Sequence, residues 1–89
     1  MPVTRDDLLR VERAEAAVRA LGYRQVRVRL QGRDARLELD RDGLLRSTSP
    51  SERRRLILAV RAAGFLRVVV DPIGYRPGGR PAAPPAPIM

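Results

Sequence analysis

Arg27, Arg29 and Arg36 are the residues of this sequence whose type and spacing point most directly to chemistry. A guanidinium group presents a rigid fork of N–H donors that matches phosphate, sulfate or carboxylate oxygens two at a time. Three such groups on alternating positions suit anion binding, with Glu38 as a nearby counter-charge. General acid–base work would fall to Glu15 and Glu38, and no nucleophile accompanies them. The chain contains no cysteine and no histidine. That excludes thiol nucleophiles, disulfides, cysteine–histidine zinc sites and a serine–histidine–aspartate triad. We therefore expect no catalytic residues, no metal site and no cofactor.

The charge that surrounds these arginines is unusual in kind. Within 89 residues, 18 basic side chains stand against 10 acidic ones, a formal balance of +8, and every basic residue is arginine. Lysine and asparagine are both missing, which points to a GC-rich genome and a thermophilic source. Arg53, Arg54 and Arg55 form a triplet that reads either as a phosphate contact or as a solvated helix face. A sequence pI near 11.6 makes nucleic acid the alternative partner. Only Tyr23, Phe65 and Tyr75 are aromatic, so the paired aromatics that stack bases in single-strand binders are lacking, and nucleic acid ranks second. No apolar run approaches the roughly 20 residues of a membrane span, and the first ten residues lack a signal-peptide core. We expect a cytoplasmic protein.

Positioning the arginines requires strands. Thr4 is a plausible N-cap, followed by Asp6 and Asp7 and then by Leu8, Val11, Ala14, Val18 and Leu21 at helical spacing up to Gly22. The period then changes to two. Val26, Val28 and Leu30 alternate with Arg27 and Arg29, and Ala35, Leu37 and Leu39 alternate with Arg36, Glu38 and Asp40. Gly32-Arg33 between them reads as a type II′ hairpin turn, glycine first. Paired residue numbers then sum to 65, which sets Arg27 opposite Glu38 and Arg29 opposite Arg36. Like charges directly opposite are destabilising, so this register calls either for a bound anion or for screening by Glu38, Asp40 and solvent. Residues 41–48 read as a loop. Ser49-Pro50-Ser51-Glu52 reads as a capping box with proline at its first helical position. Its helix carries Leu56, Ile57, Val60 and Ala63 and stops at Gly64, and residues 65–71 form a third strand.

An internal repeat supports this layout. Residues 18–28 and 60–70 share six of eleven positions, with Tyr23 matching Phe65. The expected fold is α+β: a two-layer sandwich in the order α-β-β-α-β, with two helices on one face of a three-stranded, mainly antiparallel sheet. Pseudo-twofold packing would set strands 1 and 3 side by side. The domain is expected over residues 1–71, and residues 72–89, with six of the eight prolines, as a disordered tail. Arg76 and Arg80 on that tail are candidate phosphate contacts. Exposed strand edges in so small a domain favour pairing with another copy, so a homo-oligomer is expected.

Residues 14–79 also resemble the C-terminal domain of the ATP-dependent sacrificial sulfur transferases of the PP-loop superfamily. Those enzymes supply sulfur to the pyridinium precursor of a nickel-pincer cofactor. The resemblance runs through Ala14-Glu15, Leu21-Gly22-Tyr23, Val26-Arg27-Val28-Arg29, Gly32, Ala35-Arg36-Leu37-Glu38-Leu39, Ala63-Gly64-Phe65, Asp71, Gly74-Tyr75-Arg76 and Gly78. It implies that Arg27 and Arg29 line an anion site, with Glu15 and Glu38 as acidic positions of the same neighbourhood. Arg76 is a further supporting candidate, and a phosphate-bearing small molecule is the ligand class that the arginine pattern suits. The ATP-pyrophosphatase loop of the family is missing, as is the cysteine that gives up its sulfur. Leu30 and Gln31 replace histidine-type residues, and Pro77 and Gly79 replace serines. The expected function is that of a non-catalytic, oligomerising, anion-binding module that acts with a separate PP-loop protein.

Overall fold

A computed structural model describes residues 3–74. Helix α1 (Arg5–Ala20) leads into strands β1 (Val26–Gln31) and β2 (Asp34–Leu39), then α2 (Arg41–Arg46), α3 (Pro50–Ala62) and β3 (Val68–Val70). The α-β-β-α-β order and the α+β class stand, with α2 as an added turn and a half of helix. Thr4 caps α1 reciprocally with Asp7, its hydroxyl accepting from the Asp7 N–H while the Asp7 carboxylate accepts from the Thr4 N–H. Those bonds, with Arg10 beside it, hold the Asp7 carboxyl below its ordinary value of 3.8. Among the described residues no helix is long and apolar enough to cross a membrane.

The hairpin forms in the register that alternation demands. Val26 pairs with Leu39, Arg27 with Glu38, Val28 with Leu37 and Arg29 with Arg36. Gly32 takes a φ of 63° while Arg33 stays at negative φ, the combination a type II′ turn needs. Inward-facing Val26, Val28, Ala35, Leu37 and Leu39 are buried against Ala14 and Val18 of α1 and Leu56 and Val60 of α3. Leu8 was expected in this stripe but is 55% exposed. The apolar contact of α1 starts one turn later, at Val11.

Four expectations fail on topology, element bounds and capping. The sheet order is β1-β2-β3, so β2 rather than β1 is central, and β3 runs parallel to β2. Parallel neighbours require a crossover, and α3 provides it between β2 and β3. Strand β3 is also shorter than residues 65–71, although its flanks still bond to the hairpin turn and to β2: Leu66 N–H to Arg33 O and Asp71 N–H to Leu37 O, each at 2.8 Å. Residues 41–48 contain α2, because the Asp40 carboxylate accepts from Gly43 N–H at 2.8 Å and starts a helix there. Ser49 is the N-cap of α3 with Pro50 behind it, but its side chain makes no cap bond. The capping box does not close because Glu52 is bonded to Arg46, Tyr23 and Arg55 instead.

The repeat survives at the level of local structure. Each copy ends a helix, passes through a left-handed glycine (Gly22, φ 101°; Gly64, φ 117°), buries its aromatic and enters a strand. The two strands run antiparallel to each other, as expected, but on opposite sides of β2. Past β3, Asp71 and Gly74 are buried, Gly74 beside the Leu39 carbonyl and Leu44, while Pro72 and Ile73 between them are exposed. Of the disordered tail expected over residues 72–89, only residues 72–74 are described; Tyr75, Arg76, Arg80 and the rest lie outside the described residues.

Candidate anion-binding face

The sheet face turned away from α1 and α3 carries the outward set of each strand. Register places Arg27, Glu38 and Asp71 in one row and Arg29, Arg36 and Val69 in the next. Glu38 is only 1% exposed, although neutral positions of that face are open to solvent, as 53% exposed Val69 shows. Its carboxylate accepts from Arg29 Nε at 3.3 Å and lies 3.8 Å from Arg36 Nη2. Arg29 and Arg36 therefore face each other across a shared, buried counter-charge. The like-charge pairing has an answer inside the protein.

Asp71 continues this arrangement from the end of β3. Its Oδ2 stands 3.6 Å from Arg36 Nε, and its Oδ1 accepts from Ile73 N–H at 2.9 Å. Arg36 Nε is screened from solvent and makes no hydrogen bond, so its link to Asp71 is an ion pair only. Asp71 did not figure among the sequence candidates as an arginine partner. The signal was present but depended on placing β3 parallel beside β2. Arg27 shares the face by register, directly opposite Glu38.

The face sets three guanidinium groups against two carboxylates, so its local charge is net positive. Arg29 and Arg36 are roughly a third exposed, with Glu38 buried against them. The buried carboxylate hydrogen-bonds Arg29 and ion-pairs with Arg36 while both side chains stay partly open to solvent. Such pre-orientation lowers the cost of binding an anion.

Glu15 does not join this face. From α1 its Oε2 accepts the Val28 N–H at 3.1 Å. Val28 faces the core, and β2 lies on the other side of β1, so this bond closes part of the outer edge of β1. Sequence reasoning missed that role because a helix carboxylate reaching a strand amide has no local pattern.

A second charged cluster lies where α2 meets α3. The Arg46 guanidinium stacks on the Tyr23 ring, 4.2 Å from its centroid, donates to Leu21 O at 2.6 Å and pairs with Glu52. Tyr23 donates its hydroxyl proton to the same carboxylate at 3.2 Å. Burial pushes the Tyr23 hydroxyl above its ordinary value of 10.0, and its bond to Glu52 adds to that. For Glu52, burial alone acts upward, but the bonds from Arg46 and Tyr23 and the charges of Arg46 and Arg55 together hold it below 4.5. Arg10 repeats the stack at the other copy of the repeat, 5.5 Å from the Phe65 centroid and paired with Asp7. Each glycine–aromatic corner is thus covered by an arginine held by a carboxylate, and we read both as structural clamps.

No protein-family model matches the chain. Uncharacterized protein slr1717 of Synechocystis is 38% identical to it over 76 residues. The match takes in 85% of this chain but 28% of the relative. The chain therefore spans less than a third of the length of the curated protein it matches.

Proposed function

We propose that this domain is a non-catalytic, oligomerising, phosphate-binding module of a cytoplasmic assembly, similar to the C-terminal domain of a sulfur transferase, and that it works with a separate PP-loop protein. The observation that carries the reading is the Arg27–Arg29–Arg36 face, with Glu38 buried against two of its guanidinium groups. The reading is non-catalytic because both carboxylates of that face, Glu38 and Asp71, are engaged in holding arginines rather than standing open to a substrate. The relative, in which the matching segment is 28% of a longer chain, supports reading the domain as one part of a larger machine.

Inorganic phosphate is the direct probe. Ligand that binds only the native state raises stability by about 2.7 kcal/mol at a hundred times its dissociation constant. Millimolar phosphate should raise the melting temperature and move the backbone amide signals of Arg27, Arg29 and Arg36. Joint replacement Arg27→Ala and Arg29→Ala should abolish both effects. A melting temperature indifferent to phosphate would sink the ligand assignment. Binding to RNA or DNA with a steep salt slope, without any response to phosphate, would transfer the face to a nucleic-acid partner.

A further inference from the structure

Helix α3 carries two stripes, and only one of them faces the core. Leu56 and Val60 are buried. Pro50, Arg53, Arg54, Ile57 and Leu58, at the spacing i, i+3, i+4, i+7, i+8, share the other face, with Ile57 and Leu58 as its apolar side chains and Arg53 and Arg54 as its charged ones. These five residues and Thr48 line one open groove, and Thr48 and Arg53 are shared with a second groove lined by Leu44, Leu45, Val70 and Pro72. The two make a continuous apolar strip across α2, α3 and the end of β3. Leu45 is 64% exposed and Leu58 54% exposed, so no described residue covers them.

Among the described residues the charge on the strip has one sign: Arg53 and Arg54 line it and no carboxylate does. Glu52 is paired with Arg46 and Arg55, and Asp71 with Arg36. Arg53 is fixed at the junction of the two grooves by donating Nε–H to Ser47 O at 3.1 Å. An apolar floor with a pinned arginine at its middle suits an acidic amphipathic segment, which sets leucine-like side chains on the floor and carboxylates on the arginines.

We infer that this strip docks an acidic amphipathic segment of a partner protein. The inference rests on the reading of the domain as part of a larger assembly and is independent of the arginine face of the sheet. It assigns a use to Leu45 and Leu58, which no fold contact explains.

The test uses the full chain, labelled with ¹⁵N, and two synthetic helical peptides. One has leucine at i, i+3, i+4 and i+7 with glutamate elsewhere; the other has lysine in place of glutamate. The glutamate peptide should shift the amides of Leu44, Leu45, Thr48, Arg53, Ile57 and Leu58 and bind at least tenfold more tightly than the lysine peptide. Leu58→Asp or Arg53→Glu should weaken it tenfold or more. Equal binding of both peptides, or shifts that avoid the strip, overturns the inference. So does a dimer in sedimentation that Leu58→Asp dissolves, which gives the strip to a second copy. Nuclear Overhauser contacts between residues 75–89 and Leu45 or Leu58 overturn it as well. A phosphate titration of the same sample, read at Arg27, Arg29 and Arg36, separates failure here from failure of the anion site.

Discussion

Glu38 sits at 1% exposure between two arginines that register brings face to face. Removing one partner of a buried ion pair leaves the other charge uncompensated, at about 3–5 kcal/mol when both are buried. Arg29 and Arg36 keep roughly a third of their surface in water, which reduces that cost. Glu38→Gln should destabilise the fold by about 1–3 kcal/mol in urea denaturation, and phosphate should recover more stability in this variant than in the parent. A variant as stable as the parent would show that solvent alone screens the arginines. Gly43 tests packing against propensity. Alanine inside a helix normally gains about 1 kcal/mol over glycine. A Cβ here would meet Asp40 Oδ1 at 3.0 Å, Tyr23 Cδ2 at 3.1 Å and Leu39 Cβ at 3.2 Å, so Gly43→Ala should lower the melting temperature instead.

At the scale of elements, α2 and the start of α3 depend on a carboxylate that is not doing its expected work. Glu52 ties Arg46, Tyr23 and Arg55 together rather than capping its own helix. Its depressed value means that its contribution to stability is complete above the unfolded-state titration and disappears as pH falls through the folded one. Asp7 acts with the same sign at α1. Acid unfolding should therefore set in below about pH 4, and Glu52→Gln should flatten that limb in melting curves recorded against pH. On the outer edge of β1, Glu15 occupies the Val28 N–H. Glu15→Ala exposes that donor and should raise concentration-dependent association in sedimentation velocity. The hairpin was legible because alternation and a glycine-first turn both act locally and agree on one register. Helix α2 was not, since six residues are too few for a periodic stripe and its start signal, Asp40, also fitted the alternation of β2. The place of β3 was missed for another reason: the repeat suggested symmetry, whereas helix α3 between β2 and β3 favours a parallel crossover. That error also hid Asp71.

Across the whole molecule, the +8 balance resolves into distinct uses. Arg10 and Arg46 clamp aromatic corners, Arg29 and Arg36 share Glu38, and Arg53 and Arg54 border an uncovered apolar strip. The central strand joins these regions, and its two neighbours reach it by very different routes. β1 is joined to β2 through Gly32 and Arg33 alone, whereas residues 40–67 intervene before β3 arrives. A short turn closes in microseconds, while a longer loop costs more entropy before any contact repays it. The two sides of the sheet should therefore open on separate timescales. In native-state amide exchange, Asp71 N–H on Leu37 O and Ala35 N–H on Arg67 O should exchange through a local opening that leaves the hairpin amides protected. If so, Asp71 leaves Arg36 whenever β3 detaches, and the arginine face alternates between two charge states without any change in pH.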